Sequence, residues 1–489
     1  MVDESLSKNS FNKKAAKSLF FTLLSSKFAL VISFLSFFVL SALLSVEDFG
    51  VYAMLYSLVS IFSLFKDLGL KEATVQADEI SEIQLSTLFW VQCFLGVVLF
   101  LTISLCSPLF LRFYNLEGGE LNTLIFLLGF NILIQSLSLQ HYALLLKNLE
   151  SKKIALLNIS ANGISLLIGI YFALNSQGYW ALVYKLLSHT LILSLGYVVF
   201  SQWKPLFVFD LKGVQKFIKF GLNLFAGNII QNVSSNNLSQ IFIGKYLGVD
   251  FVGLFNRADT LLTLPSKSLN QSFKLVGLST LKKLRDDPIK YERFYLTLMK
   301  VLSSMTIPIV LFIIFFTNSI IVNSIGEKWL SLAPIVKGLG LMGICKASSC
   351  AVPLLNITSL QPHKVRNIAI INLIVNLLTV LFFVRFGLIE LVIALSVVRF
   401  IAKICFLIYS TNGTCVGFFK LLSTYTRPIL FSIVSIVFFS LVSSVEYFSD
   451  KTQFYVATSA YFLIYAILLF IFENETIKTA YNLIMRKKL

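Results

Sequence analysis

Apolar residues run along this chain in long blocks, and polar residues interrupt them in two ways. Some form short charged stretches between blocks. Others stand singly inside blocks, at helical spacing. About 20 mainly apolar residues suffice for a helix to cross the hydrocarbon core of a bilayer. Segments of that kind lie at residues 18–45, 50–70, 84–110, 121–146, 153–175, 178–202, 214–244, 252–278, 296–322, 331–356, 366–384, 386–410, 426–446 and 453–473. The pattern predicts an all-α polytopic membrane protein of about fourteen transmembrane helices. The connections at Leu44–Gly50 and Arg385–Gly387 leave little chain in which to turn.

The charged stretches set the expected orientation. With both termini on the cytoplasmic side, the cytoplasmic segments hold 25 Lys and Arg residues and the outer loops hold 5 (Arg112, Lys245, Lys328, Arg385 and Lys451). That asymmetry is the positive-inside bias that fixes topology. It gives a cytoplasmic N-terminal segment (1–17), an N-lobe of six helices (18–203), a C-lobe of six (204–410), two further helices (411–473) and a basic cytoplasmic tail (474–489). Lys8, Lys13, Lys14 and Lys17 precede the first apolar run, as they would in a signal peptide. That run is longer than the roughly 7–15 residues of a signal core and has no A-x-A cleavage site, so a retained helix is expected.

Composition agrees with a lipid environment. Hydrophobic residues make up 57% of the chain and charged ones 13%, against about 25% charged in soluble domains. The net charge of +17 would suggest nucleic acid in a soluble protein. Here it is spread over cytoplasmic loops and no compact basic domain exists, so nucleic acid is not an expected partner. The six cysteines form no CxxC pair and have no histidine at metal spacing, so neither disulfides, metal nor cofactor is expected.

A faint repeat runs through the chain. Leu44–Gly50 aligns with Leu247–Gly253, and Gly178–Val183 with Gly387–Val392, at offsets of 203 and 209 residues. Six-helix halves repeat in the same orientation, and such parallel repeats place substrate between two lobes.

Polar residues inside the apolar blocks mark the candidate site, because ionisable groups in a span usually face a bundle interior or a wet cavity. Asn228, Asn232, Ser235 and Ser239 follow at spacings of four, three and four, which puts them on one helix face. The next block carries Thr260, Thr263, Lys267 and Asn270 after Arg257 and Asp259. Tyr56, Ser60, Ser63 and Asp67 share a face in the second block, and Thr22, Ser26 and Lys27 mark the first. Lys185 and His189 are one turn apart, as are Arg399 and Lys403, and Lys337 and Lys346 lie in the tenth block. Cations outnumber acids, which suits an anionic passenger that needs compensating charge and donors. Asn, Ser and Tyr suit sugar hydroxyls. The same residues also serve elsewhere as glue between helices, as snorkels or, for Lys185 with His189, as a proton-responsive or structural pair. Asp67, Asp259 and His189 are the candidates for ion coupling. Pro265 and Pro308 interrupt their helices and favour bends.

Several stretches resemble one family. Phe220–Ile230, Ile243–Ala258 and Leu264–Pro265 look like the centre of the polysaccharide transporters, the O-antigen and exopolysaccharide flippases of the multidrug/oligosaccharidyl-lipid/polysaccharide exporter superfamily. Glu47–Ala53, Asp67–Leu70, Gly178–Val183, Gly326–Leu330, Ala333–Pro334 and Leu284–Pro288 match in the same order, and the likeness runs from about residue 18 to about 410. It implies two six-helix lobes around a cleft, alternating access, and an undecaprenyl-diphosphate-linked oligosaccharide as cargo. It also implies cationic cavity residues for the head group. Arg257 sits in a matching motif; Lys27, Lys267 and Arg399 join it by helical position.

The expected function is therefore a non-enzymatic flippase in a bacterial inner membrane, serving O-antigen, capsule or exopolysaccharide synthesis alongside a polymerase and export machinery. A multidrug or cation exporter of the same superfamily would call for more intramembrane acids. A membrane polymerase or glycosyltransferase would call for paired acids or a metal on a large outer loop. No GxxxxGK[ST] loop is present, so ATP is not expected to drive transport directly.

Overall fold

The computed structural model describes residues 25–233, 236–443 and 450–473. These residues are helical almost throughout, with no strand among them. In chain order the helices are α1 (Ser25–Leu43), α2 (Val46–Phe62), α3 (Leu70–Gln76), α4 (Glu82–Leu105), α5 (Ser107–Tyr114), α6 (Gly119–Ser136), α7 (Leu139–Lys147), α8 (Ser151–Leu174), α9 (Trp180–Ser201), α10 (Gln215–Val233), α11 (Asn236–Tyr246), α12 (Val249–Lys283), α13 (Pro288–Phe315), α14 (Thr317–Ser324), α15 (Leu332–Gly338), α16 (Gly340–Ala347), α17 (Ala351–Thr358), α18 (Pro362–Phe383), α19 (Leu388–Thr411), α20 (Phe418–Ser443) and α21 (Asp450–Phe472).

Local chemistry explains the boundaries. Ser45 and Asp48 form a capping box at the start of α2: the Asp48 amide donates to Ser45 Oγ at 3.1 Å and the Ser45 amide donates to the Asp48 carboxylate at 2.9 Å. Ser81 and Gln84 repeat the device at α4. Asp287 caps α13, whose first residue is Pro288, where the missing amide costs nothing. The two tight connections are real. Leu44 and Ser45 alone join α1 to α2, and a single 3-10 turn with Gly387 at φ +122° joins α18 to α19.

Among the described residues, twelve helical segments are long and apolar enough to cross a membrane. They coincide with twelve of the fourteen predicted blocks. The two left over, 214–244 and 252–278, hold α10 with α11 and α12, which carry many polar residues and do not qualify. α12 has 35 residues, about 50 Å at 1.5 Å per residue, so length is not what it lacks. These are the blocks whose polar stripes mark the candidate site.

Several predicted blocks are not single helices. The 331–356 block is α15, α16 and α17 in succession, and 296–322 divides into α13 and α14. The 121–146 block breaks at Leu137–Ser138, and 50–70 is α2 followed by a 3-10 turn. Pro308, by contrast, does not end its helix.

The chain divides into two compact units that meet at Gly253 and Leu254, inside α12. In the first, α4 packs on α6 and α8 on α9, while α10 lies against α3 and α11 against α2. In the second, α13 packs on α20, α20 on α21, and α16 on α19. Tyr295, Leu298, Met299 and Leu302 of α13 are buried there against Leu354 and Leu355 of α17 and Phe406 and Leu407 of α19. Long blocks of exposed apolar side chains remain on the outer faces, including Phe94, Leu105, Leu167, Val199, Phe382 and Leu463. A bilayer is the solvent that accepts such faces.

Candidate functional site

The span Gly340–Thr358 is broken at Ser348–Cys350. A break within a membrane span frees backbone donors and acceptors that lipid cannot satisfy, so it must sit inside protein or line a wet cavity. Asn270 of α12 meets most of that need. Its amide nitrogen donates to the carbonyls of Lys346 and Ala347 at 3.2 and 3.1 Å, and its side-chain oxygen accepts from the Cys350 amide at 3.0 Å. Lys403 of α19 adds a donor to the Ser348 carbonyl at 3.3 Å. A cation there also meets the negative end of α16.

Charged residues gather around this break. Lys346 forms an ion pair with Asp259, one helical stretch before Asn270 on α12, and also donates to Thr263 Oγ1 at 3.1 Å. Arg399, one turn before Lys403, donates to Asn376 Oδ1 of α18 at 2.7 Å and points a second nitrogen at Met342 Sδ. Arg399 also interacts electrostatically with Asp259 and Lys346. Among the described residues the group thus brings together three cations, Lys346, Arg399 and Lys403, and one carboxylate, Asp259. Ionised groups at membrane depth are costly unless partnered or wet, and a setting in which cations outnumber acids suits an anion.

The first unit holds a second polar line. Asp67 ends the turn after α2. Its Oδ1 accepts from Gln92 at 2.7 Å and from the Lys71 amide at 2.9 Å, and Lys71 approaches the other oxygen at 3.9 Å. Lys71 also pairs with Glu72 at 2.9 Å. Lys66 donates to Gln135. Ser60 accepts from Asn237 of α11 at 3.0 Å. Tyr56 is exposed and stacks on Tyr52 with ring centroids 5.5 Å apart.

The predicted site residues therefore fall into groups. Asp259, Asn270 and Arg399 surround the broken span. Asn270 spends its amide on backbone rather than leaving it open. Arg257 is buried on α12, and Lys267 is exposed on the same helix. Tyr56, Ser60 and Asp67 line the α2 side of the first unit. Lys27 is exposed on α1, and His189 is partly buried on α9 beside Lys185, which donates to Ser36. Asn228 and Asn232 lie on α10 where only the backbone is described, and Ser235 lies outside the described residues.

Three participants escaped the sequence reading. Asn376 was legible in principle, since an amide in the middle of an apolar block is costly without a partner. Asn237 lay one position from the stripe that was read. Glu473 follows the last apolar block, where an acid reads as punctuation. It is buried, and it pairs with both Lys300 of α13 and Arg427 of α20.

Comparison with known proteins adds a family. Over 285 residues the chain is 28% identical to the teichuronic acid biosynthesis protein TuaB of Bacillus subtilis (strain 168), covering 57% of this chain and 58% of that protein. Over 315 residues it is 27% identical to the lipopolysaccharide biosynthesis protein WzxC of Escherichia coli (strain K12), covering 63% of each. The chain thus spans about three fifths of the length of these relatives. The succinoglycan biosynthesis transport protein ExoT of Rhizobium meliloti (strain 1021) is 22% identical over 339 residues, 68% of this chain and 66% of that one. The fold is similar to that of the lipid II flippase MurJ in an inward closed conformation, with a TM-score of 0.75 at 15% identity, covering 94% of this chain and 99% of that one. It is also similar to an inward-facing multidrug resistance MATE transporter, with a TM-score of 0.64 at 15% identity over 81% and 96%. Residues 39–334, more than half of the chain, match the family described as polysaccharide biosynthesis protein. This chain, an all-α polytopic membrane protein, belongs to that family.

Proposed function

We propose that this protein is a flippase that moves an undecaprenyl-diphosphate-linked oligosaccharide from the cytoplasmic to the outer leaflet of a bacterial inner membrane, by alternating access. The observation that carries the reading is the gathering of cations around the broken span: among the described residues, Lys346, Arg399 and Lys403 stand there with one carboxylate, Asp259. A diphosphate leaving water needs such cations. Family membership supports the same class, and the named relatives belong to the synthesis or transport of bacterial glycans. Family and structural neighbours are transporters rather than enzymes.

In this proposal α10 with α11, and α12, cross the membrane as well, which makes fourteen crossings with both termini cytoplasmic. Residues 18–203 and 204–410 act as the two lobes, and 411–473 follows them. Lys27, Arg257, Lys267 and Arg399 attract the head group. Tyr56, Ser60, Asn228, Asn232, Ser235 and Asn270 face the sugars or hold the wall that does. Asp67, Asp259 and His189 are the groups available for ion coupling. A polymerase and export machinery take the product onward.

The second reading is a multidrug exporter, favoured by the likeness to the MATE fold. A cation passenger would meet repulsion at the broken span, and this argues for the flippase. Proteoliposomes loaded with a lipid-linked oligosaccharide test the choice. Wild-type protein should make inner-leaflet head groups accessible to an external glycosidase, and Arg399→Gln with Lys403→Gln should slow this severalfold. No head-group movement with wild-type protein, together with efflux of organic cations, overturns the flippase reading.

A further inference from the structure

The chain between α9 and α10 is not a slack loop. It runs across the first turns of α4 and is fastened there at Leu206, Asp210 and Gly213. The Leu206 amide donates to Ser86 Oγ at 3.0 Å, and Trp90 donates to the Leu206 carbonyl at 2.8 Å. The Asp210 amide donates to Thr87 Oγ1 at 3.0 Å, and Gln84 donates to the Gly213 carbonyl at 3.1 Å. The intervening side chains face outward. Phe207 is 85% exposed and Phe209 64%. Both rings lie beside Trp90, with centroids 4.8 and 6.2 Å away.

α4 begins and α9 ends at this strap, so it sits where two spans leave the bilayer. Aromatic side chains settle at that boundary. Lys204, Lys212, Lys216 and Lys219 are exposed along the same stretch, and no ion pair joins any of them among the described residues. Asp210, the one acid of residues 203–219, is exposed as well, and its carboxylate accepts from the Gly213 amide at 2.9 Å. Outward aromatics combined with free ammonium groups form a surface complementary to anionic head groups above acyl chains.

We propose that residues 203–219 form a binding surface for anionic phospholipid of the surrounding bilayer. The aromatic rings enter the interface and the four lysines enrich phosphatidylglycerol-like lipid around α4 and α9. The reading does not depend on what the protein transports.

The test uses the full-length protein in nanodiscs of phosphatidylcholine that contain a brominated lipid as a minor component. Bromine quenches Trp90 and Trp203, which flank the strap; Trp90→Phe with Trp203→Phe measures the background from the other tryptophans. Brominated phosphatidylglycerol should quench severalfold more than brominated phosphatidylcholine at equal mole fraction. The excess should vanish at high salt and in the fourfold Lys204, Lys212, Lys216 and Lys219→Gln variant. If that variant is not recovered, Lys204→Gln with Lys212→Gln, confined to the strap, should halve the excess or better. Equal quenching by both lipids overturns the proposal, because the strap would then be an interface without preference. Quenching by neither overturns it too, because the strap would lie outside the bilayer.

Discussion

Gly253 lies directly on the backbone of Gly50: a methyl group added to Gly253 would come within 3.0 Å of the Gly50 nitrogen and 3.2 Å of its Cα. The two glycines hold equivalent places in the repeated motif, 203 residues apart, and the contact is reciprocal. Gly50 faces the Val249 carbonyl, and Gly253 faces the Val46 carbonyl. Two copies of one sequence motif thus close on each other through bare backbone, which only glycine permits.

A side chain here should hold the two motifs apart. Gly50→Val or Gly253→Val should disfavour this closure by about 1–3 kcal/mol, the usual cost of overpacking, or roughly 5–150-fold in the equilibrium. The other end of the α2–α3 stretch has its own contact, in which Gly69, at φ +75°, meets the backbone of Gly221 on α10. Gly221→Val should disfavour that closure instead. Thiol labelling of cysteines placed beside each glycine pair should show the two substitutions raising accessibility at different ends. Identical labelling patterns would rule out two separate closures.

Asn270 and Arg399 lie near the same break but should fail differently. Asn270→Ala strips partners from the Lys346 and Ala347 carbonyls and the Cys350 amide, at about 1–3 kcal/mol for each buried group left unpaired. Thermal stability in detergent should fall clearly, and transport with it. Arg399→Gln keeps a donor for Asn376 and removes charge, so it should leave the melting temperature within a few degrees while glycan export drops. If Asn270→Ala were as stable as wild type, the clasp would not be what closes the break.

The twelve apolar spans were legible because burial in lipid leaves a simple mark, a block of about 20 apolar residues. The blocks that become α10 with α11 and α12 are legible by the same mark, but the polar stripes through them, with Asn232, Ser239, Thr263 and Asn270, make that mark weaker. The breaks were not. Nothing within 331–356 marks Ser348–Cys350 as the point of interruption, because what permits it is Asn270, about 80 positions earlier. Likewise the Val46–Gly50 repeat was visible, but its packing against Val249–Gly253 was not, since periodicity reports faces and never partners. Arg399 stands out in the sequence as a cation inside an apolar block, and the structure gives it Asn376 as a partner. Asn376 is not legible as that partner, because a lone amide makes no pattern.

Glu473 should act as the lock on α21. Its buried carboxylate, at the end of α21, bonds Lys300 of α13 and Arg427 of α20. Removing one member of a buried ion pair costs about 3–5 kcal/mol; both cations here are partly exposed, so Glu473→Gln belongs at or below the lower figure. Thermal unfolding should begin earlier, and limited proteolysis should release the segment after α20 first. A Glu473→Gln protein with unchanged melting and cleavage would show that packing alone docks α21.

The prolines in α13 and α20 make a sharper test possible. A proline inside a helix removes the hydrogen bond to the carbonyl four residues earlier. For Pro308 that carbonyl belongs to Ser304, and it accepts from Tyr465 of α21 at 2.8 Å. For Pro428 it belongs to Thr424, and it accepts from Ser303 of α13 at 2.8 Å. Each helix lends a hydroxyl to, or borrows one for, a carbonyl that proline has orphaned, and this fixes α13, α20 and α21 together. Tyr465→Phe should cost about 1 kcal/mol, the net worth of one buried hydrogen bond. In a Pro308→Ala background the Ser304 carbonyl regains a backbone amide, so the same Tyr465→Phe change should cost little. Denaturant or thermal unfolding of the four proteins forms a double-mutant cycle. A coupling near zero would mean that Tyr465 contributes through its ring against the neighbouring helices and not through the carbonyl that Pro308 leaves bare.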